Sequence, residues 1–371
     1  MTDTNGTEGT SGLAAMMTAD APAPAVEGPA HAADVVTDAE AERKRRRRLI
    51  LLVILAILLL LLGAVIAWYL ITRKPISAIP GVIVAQTPKY SYSLDNVVAP
   101  LGVAVTPDGE RIYVSQQGVN VNVAVLDRDG NKVGELKPPA QAKGAATLHS
   151  MSYVAIDPTN GDVAVSDRIG KSVFVFNSEG AYVRTIQPES LKAAWEPLGI
   201  TFAPDGTLYV ADVREKGGQQ IVGIDGDGNI TRTLAITAKD ADPLNYPNAM
   251  TVDDKGDLVV ADSNNGRVLM FDPDGKPSVV AGPGVAEGDV GMPRGVTLDS
   301  NGQLLVVDTV NHVVDVYHPG DEAGKAQFVG KFGVEGVAEG QFEYPNGITI
   351  DTRAKVYVAD RVNNRVQVWS Y

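Results

Sequence analysis

The chain contains no cysteine in 371 residues. That excludes disulfides, thiolate zinc sites and a cysteine nucleophile, and it leaves the redox compartment open. No G-x-S-x-G, Walker A or H-E-x-x-H pattern occurs either. Nucleophile-elbow, P-loop and zincin chemistries therefore have no support. Basic residues are in deficit, with 32 Lys and Arg against 45 Asp and Glu. Residues 1–79 carry eight acids and eight bases, so the whole net charge of −13 lies in residues 80–371. Nucleic-acid binding depends on Lys and Arg neutralising phosphates, and so acidic a region is a poor partner for it.

Residues 1–42 lack aromatics, Lys and Arg, and are rich in Ala, Thr, Gly, Pro and acids. Such a stretch buries too little apolar surface to offset its ordering entropy, which predicts a disordered tail. A basic run follows: Arg43, Lys44, Arg45, Arg46, Arg47 and Arg48. Residues 49–71 then contain no charge. As a helix they would extend roughly 35 Å, enough for a hydrocarbon core of about 30 Å. Trp68 and Tyr69 fall at the far end, where amphipathic rings favour an interface. The apolar run exceeds the h-region of a cleaved signal, and no A-x-A site follows it. A single retained span is expected. The bases at 43–48 outweigh Arg73 and Lys74, which predicts a cytoplasmic N-terminus and an extracytoplasmic remainder. Residues 72–88, with three prolines, read as a stalk.

Beyond residue 88 the chain repeats. Gly102, Tyr153, Gly199, Ala249, Gly295 and Gly347 open similar runs, 46 to 52 residues apart. Each run is followed by a second and a third β-rich stretch, as in GITIDTRA, KVYVAD and RVQVW of the last copy. Turn chemistry separates them, with Pro107-Asp108-Gly109 and Asp129-Gly130 as examples. Weaker fourth runs such as KVGELK and PSVVAG complete units of four strands. Four strands at a period near fifty predict the blades of a six-bladed β-propeller over residues 89–371. The sixth copy ends without a fourth strand. The spare alternating run KYSYSL at 89–94 is expected to supply it and close the ring.

These repeats resemble the NHL family. The likeness is carried by VVADSNNGRVLMF at 259–271, YVADRVNNRVQVW at 357–369 and, more loosely, VVDTVNHVVDVY at 306–317. The resemblance implies an all-β six-bladed propeller, commonly a binding platform. Similar bacterial propellers include sensor domains of membrane kinases, and related enzymes include amidating lyases and lactonases. One aspartate recurs after the second strand (Asp167, Asp212, Asp262, Asp308, Asp360), with Gln116 in its place in the first repeat. A short acceptor that caps the following turn explains it better than a ring of functional acids.

In a propeller, the loops leading into the first strands share one face with those joining strands two and three. On that face the sequence puts Asn248, Arg294 and Asn346, with Tyr246, Tyr344 and Glu196 beside them. An amidating-lyase-like site would need about three His on zinc. His149 and His312 belong to opposite blades, with His312 in an outer loop, and His318 is on the other face. A lactonase-like calcium site would find one acid, Glu196, beside a repelling Arg294. The expectation is therefore a membrane-anchored, monomeric binding platform or sensor without a cofactor, whose partner is a protein or glycan at the cell surface. The contrasting class is a lyase or hydrolase working at the channel mouth.

Overall fold

The structure is a computed structural model; it describes residues 30–72, 87–118, 121–139, 149–191, 194–237, 242–318 and 325–371. The chain divides into two units, Met1–Ala67 and Trp68–Tyr371. The first contains most of one helix, α1, which spans Ala30–Thr72. Within it Glu42–Ala64 is long and apolar enough to cross a membrane, by length and composition. The helix begins inside the tail whose composition reads as disordered. Residues 39–48 are Ala, Glu, Lys and Arg, all strong helix formers, and propensity there extends the helix upstream of the apolar run. Residues 1–29, and the stalk except for its two ends, lie outside the described residues.

The second unit is a ring of six four-stranded antiparallel blades. The inner strands are Pro100–Val105, Met151–Ile156, Pro197–Phe202, Pro247–Val252, Pro293–Leu298 and Pro345–Ile350. In blades 1 to 5 the strands follow one another outward in chain order. Blade 6 takes its outermost strand, Lys89–Leu94, from the start of the unit, paired with Arg365–Ser370. The spare run thus closes the ring as its pattern predicts. Tyr90 on that strand meets Trp369 edge-on at 5.8 Å, and Trp369 also packs on Phe332 and Phe342.

Second and third strands are buried on both faces, because each blade is covered by a blade on either side. That explains their nearly continuous Val, Ala, Leu and Phe. The core accordingly lies between blades, as where Leu305, Val307 and Val314 meet Ile348, Val356 and Val358. Outer strands are mostly wet: Lys132–Leu136 and Tyr182–Ile186 bury only their last residue, and Ile230–Leu234 alternates.

Close approach at the centre is set by glycine. A Cβ on Gly199 would sit 2.2 Å from the Asn248 carbonyl oxygen, and one on Gly347 would sit 2.5 Å from that of Leu101. Hydroxyls stitch blade to blade at the same level. Ser115 donates to the Ser152 carbonyl at 2.5 Å, Ser166 to that of Leu198 at 2.6 Å and Thr309 to that of Pro345 at 2.7 Å. The Asp-Gly turns behave as their chemistry requires. Asp225 accepts the amides of Asp227 and Asn229, and Gly228 takes φ 89°.

Candidate functional site

The recurring aspartates build the face on which the sequence puts its candidates. All five are fully buried. Each accepts amides from the loop leading into its own blade's inner strand: Ser150 on Asp167 at 2.8 Å, Glu196 on Asp212 at 3.1 Å, Asn245 on Asp262 at 2.7 Å, Met292 on Asp308 at 3.1 Å and Glu343 on Asp360 at 2.8 Å. Gln116 does the same in blade 1, taking the Val98 amide at 2.8 Å. The role is structural, as the sequence suggests, but its main object is the loop some 16 to 18 residues upstream. The turn after the second strand is a second client, through Gly170, Asn265, Asn311 and Asn363.

Held in this way, the loops carry unusual backbone. Ala99, Tyr246 and Tyr344 each precede the proline that opens an inner strand, and each has positive φ, at 41°, 56° and 51°. Non-glycine residues adopt this region at a cost that the surroundings must impose. Tyr344 is exposed, and its ring lies 4.7 Å from that of His312, whose Nδ1 accepts the Tyr344 amide at 3.2 Å. His312 therefore belongs to the rim, packed against the loop of the next blade, and not to an outer loop. Tyr246 is half-buried, with its amide given to Gln219 Oε1.

Asn248 and Asn346 are buried below the rim and form a neck. The neck is closed by Tyr153, which the repeat pattern marks only as the start of a strand and not as a site residue. Its hydroxyl reaches across the channel to Asn346 Oδ1 at 2.8 Å, to the Arg294 carbonyl at 3.3 Å and to Asn248 Oδ1 at 3.4 Å. One side chain from blade 2 thereby joins blades 4, 5 and 6. Burial raises the phenol pKa, with Arg294 and Arg361 pulling the other way, so the hydroxyl remains a donor. A signal for this plug exists in the sequence. Four of the six inner strands have Gly at this position and one has Ala, so Tyr153 is the only large side chain in the column. Beneath it a cavity of about 190 Å3 is lined by the downstream halves of the six inner strands, including Phe202, Met250, Thr297 and Thr349.

Above the neck the electrostatics are cationic. Arg294 and Arg361 both lie close enough to Tyr153 to affect its ionisation, and neither guanidinium has a hydrogen-bond or ion-pair partner among the described residues. Arg294 Nε is fully buried and unmatched. Glu196 is held by Arg168 across the boundary of blades 2 and 3, at 3.3 Å. Arg214 is engaged by Asp212. His149 Nδ1 is hydrogen-bonded to Asp167 Oδ2 at 2.5 Å. Among the described residues no three His, Asp or Glu side chains come together in a way that could hold a metal ion. Chemically, this mouth can recognise an anion and hydrogen-bond acceptors over a closed floor.

Residues 244–271, 291–317 and 342–369 match the NHL repeat family, in blades 4, 5 and 6. No curated protein matches the sequence. Among solved structures the chain is similar to a streptogramin B lyase, at 16% identity and TM-score 0.53, over 78% of this chain and 99% of that one. A virginiamycin B lyase from Staphylococcus aureus is similar at 16% identity and TM-score 0.52, over 77% and 100%. An auxiliary nutrient-binding protein from Bacteroides thetaiotaomicron is similar at 15% identity and TM-score 0.55, over 74% and 70%. At such identities the likeness shows a shared fold.

Proposed function

We propose that this NHL-repeat propeller is a membrane-anchored binding module, displayed outside the cell and recognising an acidic segment of a partner protein at the channel mouth. The observation that carries the reading is the unpaired pair Arg294 and Arg361 above the floor made by Tyr153. A guanidinium left without an acceptor at a partly buried site favours a carboxylate supplied from outside. Around it Tyr246 and Tyr344 offer aromatic surface, and Arg and Tyr are the residue types that dominate interface energetics. Asn248 and Asn346 support the floor and Glu196 steadies Arg168, so these three act behind the contact surface. The nutrient-binding relative lends the binding class a parallel in the same architecture, and the two lyases lend one to the enzyme class; both parallels stop at the fold. Placement in the membrane rests on the apolar part of α1, and orientation on the six bases at 43–48.

The full chain in detergent, immobilised by a tag at residue 1, should capture a defined protein from a cell-envelope fraction. The Arg294→Ala/Arg361→Ala variant should bind it at least tenfold more weakly, at about 1.4 kcal/mol per tenfold change. An unchanged affinity would refute the anionic site, and capture of a polysaccharide in place of a protein would transfer the site to a glycan. Protease added to spheroplasts should remove the propeller while sparing the tail; a protected propeller overturns the orientation.

A further inference from the structure

The loops leading into blades 5 and 6 contain the same five residues, Gly-Val-Ala-Glu-Gly, at 284–288 and 336–340. They fold alike. The Ala286 amide is taken by Asp289 Oδ2 at 2.9 Å, and the Ala338 amide by Gln341 Oε1 at 3.0 Å. Asp289 N donates to the Ala286 carbonyl, and Gln341 N to that of Ala338. Parallel bridges close both loops, between Pro283 and Val290 and between Glu335 and Phe342.

In blade 6 the space behind this loop is filled from the third strand. Arg365 donates to Asp360 Oδ2 at 2.8 Å and to the carbonyls of Ala338 and Gln341, both at 2.7 Å. Gln367 Nε2 adds bonds to Asp360 and to the Gln341 carbonyl. Blade 4 uses Arg267 in the same way, on Asp262 at 2.7 Å and on the Asp242 carbonyl at 2.6 Å. In blade 5 the corresponding residues are Val313 and Asp315. No guanidinium enters, and a cavity of about 460 Å3 remains, lined by the 284–289 loop, Asn311, Val313, Asp315, Phe328 and Lys331. Asp308 is still occupied, by the Gly291 amide at 2.6 Å and by Asn311 at 2.8 Å. Asp315 is not. It is 5% exposed and its carboxylate forms no hydrogen bond or ion pair among the described residues. Lys331 is its cross-strand neighbour, yet no ion pair joins them.

We propose that this cavity is a binding site for an incoming guanidinium group, seated where Arg365 sits in blade 6, with Asp315 as counter-ion and the Ala286 and Asp289 carbonyls as acceptors. A buried carboxylate without a partner is costly, and a cation that pairs with it removes that cost. The planar fork of a guanidinium spreads its donors over a wider, fixed span than an ammonium does, as Arg365 shows toward a carboxylate and two carbonyls in blade 6. The volume exceeds that of the head group, so an alkyl stem can follow it past Phe328. Burial and the nearby Asp308 push Asp315 up to about 7, with Lys331 opposing. Glu287 and Asp289 on the loop add negative charge to the same cavity. Occupation by a cation therefore strengthens as Asp315 ionises.

The site goes beyond the channel mouth and stands or falls separately from it. Calorimetric titration of the full chain in detergent at pH 8 with N-acetyl-arginine amide should show saturable binding, at least tenfold tighter than N-acetyl-lysine amide. Asp315→Leu, which copies Leu269 of blade 4, should lose at least tenfold in affinity. Val313→Arg should supply the missing group from within, raise the melting temperature and abolish binding. Agmatine binding as tightly as an Arg-containing tripeptide identifies a small-molecule ligand, and preference for the tripeptide identifies a peptide; either supports the site. Absence of saturable binding to wild type, or equal binding by wild type and Asp315→Leu, overturns it.

Discussion

Blades 5 and 6 share a backbone and differ in how their polar groups are matched. In blade 6, Asp360 serves a loop amide, Asn363, Arg365 and Gln367, all of them from the blade and its lead-in loop. In blade 5 the same frame holds Asp308 with two loop amides and Asn311, and beside it a second acid, Asp315, whose carboxylate has no hydrogen-bond or ion-pair partner among the described residues. The fold tolerates both because hydroxyl stitches and apolar faces between blades carry the architecture. What differs is the response of each blade to charge, which makes blade 6 a fixed element and blade 5 a receptive one.

The largest effect expected from breaking this contrast is in blade 6. Asp360→Ala strands the buried Arg365 without its carboxylate, and removal of one partner of a buried pair typically costs about 3–5 kcal/mol. Asp308→Ala in blade 5 leaves no such cation and relieves repulsion on Asp315, so its cost should be nearer 1–3 kcal/mol, the penalty for unsatisfied amides. Urea denaturation of the two variants side by side measures the difference; equal losses would erase the distinction.

A smaller effect comes from pH. Asp315 has a folded-state pKa of about 7, above its unfolded value. The folded chain therefore holds a proton that the unfolded chain has released. The resulting stability is fully present below the unfolded pKa and is lost as pH rises through 7, with a slope of at most about 1.4 kcal/mol per pH unit. Asp315→Gln, which reproduces Gln367 of blade 6, should remove this slope and lessen destabilisation on the alkaline side. The check is the difference in melting temperature between variant and wild type at pH 5 and pH 8, which should grow with pH; a constant difference would dissociate Asp315 from the effect.

The smallest is a pair of matched deletions. Asn311→Ala removes one side-chain bond to its aspartate, whereas Asn363→Ala also releases the Gly336 carbonyl. Each bond is worth about 1 kcal/mol, so Asn363→Ala should be the more damaging by roughly that amount. Thermal unfolding of both variants ranks them, and the reverse order would contradict the matching described for blade 6.

Much of this architecture is legible before any coordinates. Fifty-residue periodicity, Asp-Gly turns and the orphan strand Lys89–Leu94 are local patterns, and they lead to six blades and a closed ring. The contents of the channel are another matter. Asn248, Arg294 and Asn346 come together because glycines draw the inner strands close, but which of them faces a ligand and which lies under Tyr153 depends on one large residue in a column of small ones. The cavity of blade 5 was hidden for a similar reason. It is visible only when Val313 and Asp315 are set against Arg365 and Gln367 in the same frame, and the meaning of that substitution lies in carbonyls more than twenty residues upstream. Glu196 shows the limit from the other side: its position suggested a rim contact, and its partner Arg168 comes from the preceding blade.

The strand that completes blade 6 also sets the timetable of biosynthesis. Its partner, Arg365–Ser370, follows it by about 270 residues, which takes roughly 15–50 s to synthesise at about 5–20 residues per second. Until then Tyr90 and its neighbours form a strand without a ladder, and blade 5 waits for the cover that Trp369 provides. The nascent protein must keep an adhesive edge unpaired throughout that interval, which makes ring closure the step at which chaperone demand should be greatest.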